Sequence, residues 1–208
     1  MNVPFDNHPQ KNNSKRIEAL SDGIFAIAST LLVLEIRVPE LQNRSVPEMM
    51  DSLSSILPSL IGFIFSFLNI LIFWVNHNSI GKTLNHFDTK LIYLNIIFLL
   101  FISLVLFTTA FVSRYPFNLV AITVYGFVFF LTACIASIMY YYVAFKSNLM
   151  HKSITLKSRK KIWNRVIMGP ILFIFAIPMG LIHVLIPIII YLMVPLLFLL
   201  FPKIEFEE

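Results

Sequence analysis

From Val166 to Phe201 the chain runs for 36 residues without an Asp, Glu, Lys or Arg. Wound as one helix, that run would be about 54 Å long, nearly twice the hydrocarbon thickness of a bilayer at about 30 Å, so it must fold back on itself. Gly180, His183 and Pro187 mark the expected hairpin tip. Four apolar runs precede it, at about 17–37, 53–76, 90–112 and 117–145, and the hairpin adds about 166–182 and 184–202. The expectation is an all-α integral membrane protein with six transmembrane helices per chain. A composition of 58% apolar and 13% charged residues, with mean hydropathy +0.82, lies outside the range of soluble domains. A porin-like barrel would show short alternating segments instead.

The polar connections set the orientation. Residues 1–15 read as a flexible tail, and residues 16–208 as a single six-helix transmembrane domain. No cleaved signal peptide is evident, because the tail has no apolar core and a full-length span follows it. With the N-terminus inside, the inner segments hold thirteen Lys and Arg, and the outer loops hold only Arg37, Arg44 and Arg114. That bias places both termini in the cytoplasm. It also accounts for the net charge of +5 without nucleic acid as a partner. Cys134 is the only cysteine, which excludes an internal disulfide. The two halves of the chain show no defensible repeat, so an inverted-repeat transporter is unsupported.

The stretch Arg16–Arg37 is apolar enough to enter a bilayer yet carries Asp22, a placement that costs a few kcal/mol unless a partner is found. At 3.6 residues per turn, Arg16, Leu20, Gly23, Ile27, Thr30, Leu31, Leu34 and Val38 form one stripe, with Asp22, Phe25, Ser29, Leu32 and Ile36 roughly opposite. Span 1 runs outward, span 2 inward and span 3 outward, so Asp22 shares a depth with Trp74, Asn76, His77, Asn78 and Asn95. Asp22 is therefore expected to turn into its own subunit, toward the donors Trp74, His77 and Asn95, and to fix the rotation of span 1. The smooth stripe can then face lipid or line a pore, where Ile27, Leu31 and Leu34 would form a hydrophobic constriction beside the Thr30 hydroxyl. Both readings are open at this point. His77 is either a hydrogen-bonded boundary residue or a proton relay.

Other signals are weaker. Thr123-Val124-Tyr125-Gly126 lacks the first glycine and the re-entrant helix of a potassium filter, and it is read as chance. Asn69 is expected to bond between helices, and His183 to be exposed. The basic run Lys157–Lys161 could bind anionic lipid, although the topology bias already explains it. With no Walker, dinucleotide, H-E-x-x-H or Ser-His-Asp pattern, no enzymatic activity, cofactor or resident metal is expected.

The opening Arg16-Ile17-Glu18-Ala19-Leu20-Ser21-Asp22, followed by G-I-F-A-I-A and then T-L-L-V-L-E-I with a proline soon after, resembles the R-x-x-x-F-S-D-G-x-F-A-I-A start of the transmembrane protein 175 potassium channels, in their prokaryotic branch. F-W-V-N-H is similar to the F-W-x-x-H that ends that family's second helix. The resemblance implies a homotetramer in the prokaryotic plasma membrane, with helix 1 lining a central potassium-selective leak pore that has no TVGYG filter. Potassium ions would pass it transiently. It puts the pore positions on Ile27, Leu31 and Leu34, with Thr30 as a selectivity hydroxyl, and a pore-helix polar network on Arg16, Ser21, Asp22, Trp74 and His77, which Asn95 joins by depth. Leu20 replaces the family's usual Phe. Arg16 falls on the pore stripe, where unpaired cations would repel potassium. The rivals are a proton channel or proton-coupled transporter using Asp22 and His77, and a non-conducting membrane scaffold.

Overall fold

A computed structural model describes residues 9–39, 45–151 and 153–200, arranged as six α-helices. They are α1 (Pro9–Leu31), α2 (Val46–Gly81), α3 (Thr89–Arg114), α4 (Leu119–Tyr141), α5 (Leu156–Met179) and α6 (Leu185–Leu200). A 3₁₀ turn over Leu32–Glu35 extends α1, and a π-helical turn over Tyr142–Lys146 extends α4. Five of the helices are long and apolar enough to cross a membrane, and α6 is a shorter apolar helix of 16 residues.

Each start has a local cause. The Asp88 carboxylate accepts from Leu91 N at 2.8 Å and opens α3; Asn118 accepts from Val120 N at 2.9 Å and opens α4. Such caps satisfy amides that the first helical turn leaves unbonded. Three helices begin earlier than their apolar runs. α1 starts at Pro9, so residues 9–15 are helical where a flexible tail is expected; residues 1–8 lie outside the described residues. Proline suits a first helical position, since its missing N–H is not needed there. The same holds at α2, where Ser45 caps and Pro47 sits in the first turn, which shortens the expected solvent loop. α5 takes in the basic run Lys157–Lys161, expected as loop, because the Thr155 hydroxyl accepts from Ser158 N at 3.3 Å and Lys and Arg are good helix formers. Between α5 and α6 the turn falls at 180–184, at the expected tip, and the exposed His183 accepts from Leu185 N through Nδ1 at 3.2 Å.

The α2–α3 turn and the α4–α5 connection are tied to each other. Asn85 N donates to Leu149 O and His151 N donates to Thr83 O, both at 2.9 Å, around the bridged pair Leu84 and Met150. Arg159 donates to Ala144 O at 2.9 Å, to Ile154 O at 3.2 Å and to His151 O at 3.3 Å, so its guanidinium closes this connection rather than facing outward. The Tyr142 hydroxyl donates to the Asp88 carboxylate, with Lys90 over the Tyr142 ring.

The interior is an aromatic ladder. Phe25 of α1 meets Phe98 of α3; Phe98 meets Phe73 of α2; Phe73 stacks on Phe129 of α4; and Phe129 stacks on Phe173 of α5, which meets Tyr191 of α6. Offset aromatic pairs of this kind add about 0.5–1.5 kcal/mol each beyond area burial. Gly126 lets the last rung close, because a Cβ there would lie 1.9 Å from Tyr191 Oη and 2.5 Å from its Cζ. Gly126→Ala is expected to lower stability by about 1–3 kcal/mol through overpacking. In a Tyr191→Phe background, thermal unfolding in detergent should show part of that loss recovered, since the Tyr191 hydroxyl is buried without a partner among the described residues.

Candidate functional site

The N-terminal helix has two unlike faces. Ser21, Phe25, Ala28, Ser29 and Leu32 are buried against the bundle. Ile27 (59% exposed), Leu31 and Leu34 (68% exposed) stand on the outside of the chain with Thr30. Residues 21, 25, 28 and 32 recur at the spacing of one helical stripe, and that stripe is fixed by Phe25 entering the aromatic ladder. The Thr30 hydroxyl lies 2.8 Å from Ala26 O and donates within its own helix. Its oxygen lone pairs remain available on the exposed face.

Behind the buried face runs a directed chain of hydrogen bonds. His77 Nε2 is 2.8 Å from Asn95 Oδ1, Asn95 Nδ2 is 2.9 Å from Ser21 Oγ, and Ser21 Oγ is 2.9 Å from Ile17 O. An amide oxygen only accepts, so His77 carries its proton on Nε2 and donates to Asn95; Asn95 donates to Ser21, and Ser21 to the α1 backbone. Ser21 is 0% exposed and Asn95 1% exposed, so both are shut off from bulk solvent and each depends on the next. The His77 ring stacks on Phe98 with centroids 5.8 Å apart and meets Phe25 at 5.8 Å. Three helices thus meet at one polar pin set among aromatic rings.

Asp22 stands beside this pin. Trp74 Nε1 donates to Asp22 Oδ1 at 2.8 Å, one of the expected pairings. His77 and Asn95 do not bond Asp22; they bond each other and Ser21 instead. The reason is rotational: consecutive helical residues are about 100° apart, so with Ser21 pointing into the bundle Asp22 lies at its edge, exposed. Arg16 is exposed and does not enter the network. Asn69, expected to bond between helices, donates to Phe65 O of its own helix at 2.9 Å.

Trp74→Phe would keep the ring's bulk and remove the only donor to Asp22 among the described residues. Because Asp22 is solvent-accessible, a loss of no more than about 1 kcal/mol is expected, below the usual range for a charged hydrogen bond. Thermal unfolding of the purified chain checks it.

A second buried cluster was not visible from residue types alone. Thr109 Oγ1 lies 2.8 Å from Ser66 Oγ, and Ser66 Oγ lies 3.1 Å from Tyr125 Oη, joining α3, α2 and α4. Its signal in the sequence is depth: Ser66, Thr109 and Tyr125 are hydroxyl residues at matched depth in neighbouring spans.

Comparison with known proteins points to one family. Residues 16–105 match the family model described as endosomal/lysosomal potassium channel TMEM175. The chain is 34% identical over 179 residues to the potassium channel Cha6605_3372 of Chamaesiphon minutus, covering 85% of this chain and 88% of that one. It superposes with a TM-score of 0.81 on the crystal structure of a lysosomal potassium-selective channel TMEM175 homolog from the same organism, at 31% identity and over 91% of this chain and 97% of that one. It is also 32% identical over 96 residues to the endosomal/lysosomal proton channel TMEM175 of Gallus gallus, a match to 43% of this chain and 19% of that one.

Proposed function

This chain belongs to the TMEM175 family, and on that footing we propose that it is a potassium-selective leak channel of the prokaryotic plasma membrane. In this reading it is a homotetramer with both termini cytoplasmic and α1 of each subunit lining a shared pore. The observation that carries the reading is the polarity of α1: one face is pinned into the subunit through Ser21, Asn95 and His77, which leaves Ile27, Thr30, Leu31 and Leu34 outside it. Around an axis, the aliphatic residues form a hydrophobic constriction that gates by dewetting, and Thr30 offers an oxygen to an ion shedding water. Arg16 lies at the inner mouth of such a pore, where it would repel cations unless turned aside.

The polar groups argue against a proton pathway. The chain from His77 ends on the Ile17 carbonyl, which has no proton to pass on, and Asp22 is bonded to an indole N–H, which cannot accept one. Proteoliposomes holding the purified chain and loaded with potassium should lose it down its gradient without ATP, a second ion or a pH difference. Asp22→Asn keeps the acceptor that Trp74 needs and should retain that flux. Flux that vanishes without a pH gradient and is lost in Asp22→Asn would establish the proton reading instead. Cross-linking that traps monomers only, with silent bilayers, would establish the scaffold.

A further inference from the structure

On the far side of His77 from α1 lies a partly open cavity of about 70 Å³, lined by α2, α3, α4, α5 and α6, to which the pore reading gives no role. The space exists because Ala136 of α4 and Gly169 of α5 stand where bulky side chains fill the rest of the bundle. Its walls are otherwise aromatic and aliphatic, with Phe98 and Phe173 among them. The polar exception is one edge of α2, where Asn69, Asn76 and His77 follow one another at helical spacing.

Three features select the occupant. Four of the surrounding helices, α2 to α5, are long and apolar enough to cross a membrane, and α6 is a shorter apolar helix, so the medium beside them is hydrocarbon. Its small volume is spread along α2 from Asn69 to Gly81, about 18 Å of helix, a narrow slot that suits one thin chain rather than a ring system or a headgroup. Asn76 and His77 lie four to five residues before the end of α2 at Gly81, about 6–8 Å in. That depth corresponds to the ester level of a lipid whose chain points inward. The Asn76 amide enters no hydrogen bond among the described residues, and its N–H donors suit an ester carbonyl. Lys82 and Lys90 stand at the same end, where a phosphate would lie.

The slot is also one side chain away from α1. His77 and Phe98 line it and stack on each other, while Phe25 of α1 lies 5.8 Å and 5.9 Å from their ring centres. Whatever packs against His77 therefore bears on Asn95 and Ser21 as well. We propose that this cavity binds one acyl chain of a membrane phospholipid and that its occupancy sets the position of α1 by way of His77; the second half rests on the channel reading.

The test is photolabelling of the full chain in liposomes whose phospholipid carries a diazirine in mid-chain, with mapping by mass spectrometry. Label is expected on the slot residues Ala136 and Phe173 as well as on outward-facing ones such as Phe107. Ala136→Phe should remove the slot label and leave the outward label. Gly169→Ala enters from the other wall, where its Cβ would meet Ala133 Cβ at an ordinary 3.5 Å; it is expected to fold and to reduce the slot label. In wild type, potassium flux should change between short-chain and long-chain lipid, and in Ala136→Phe that dependence should disappear. Label confined to outward faces, or a water-soluble probe reaching the slot instead, overturns the proposal. A labelled slot with flux indifferent to chain length overturns the coupling alone. A labelled slot with no potassium flux in any lipid leaves the slot standing and removes the channel reading.

Discussion

Ile27→Ala is expected to raise potassium flux about tenfold, equivalent to about 1.4 kcal/mol off the barrier, and to relax discrimination against sodium. Ile27 is 59% exposed in the isolated chain, so truncating it leaves no hole in the subunit's core. The change acts on the proposed constriction, where four aliphatic side chains exclude water and an ion must shed most of its shell. A wider, wetter ring lowers that cost for potassium and sodium alike. Leu32→Ala, on the opposite face and 0% exposed, is the matched control. It should cost about 2–5 kcal/mol of stability as a large-to-small core change. Flux and selectivity both unchanged in a well-folded Ile27→Ala would remove α1 from the pore.

Asn95→Leu is expected to be the most damaging single change to the polar pin that holds α1. Interhelical hydrogen bonds in membranes average only about 0.6 kcal/mol, because alternative partners are found when they break. Here the alternatives are missing: Asn95 is 1% exposed, and His77 donates to it alone. Leucine would strand the His77 N–H among Phe25 and Phe98, and Ser21 would keep only its bond to Ile17 O. Leaving a buried donor unpaired costs about 1–3 kcal/mol, and this should appear as a downward shift of the thermal midpoint in detergent. The links form one chain, so Ser21→Ala and Asn95→Leu should combine to less than their sum. A strictly additive pair would mean that the two residues act separately.

The six apolar helices and the nearness of Asp22, Trp74, His77 and Asn95 were legible from hydropathy and depth, because a polar group in hydrocarbon has few places to go, whereas Ser21 was marked only by the family resemblance. The partner of each was not legible. Assigning Asp22 to His77 and Asn95 required the rotation of α1 to within one residue, and Phe25 settles that rotation by packing, which no spacing rule reports. The early starts of α2 and α5 were hidden for a different reason. Their first turns are polar or basic and held by the caps Ser45 and Thr155, so hydropathy ends before the helix does. Asn69 was misjudged because an amide in a span has its own carbonyl ladder four residues back, at Phe65, as near as any neighbouring helix.

The 3₁₀ turn at Leu32–Glu35 changes the thread of the screw on which α1 ends. At three residues per turn, side chains three apart eclipse, so Leu34 stands directly above Leu31 instead of drifting around the axis. In the proposed tetramer the two leucine tiers thus share one azimuth, a short straight throat rather than a spiral. Advancing about 2.0 Å per residue instead of 1.5 Å, the four residues also carry Glu35 and the following Arg37 about 2 Å farther toward the outer water. In that proposed assembly a charged collar of Glu35 and Arg37 would stand clear of the leucine tiers.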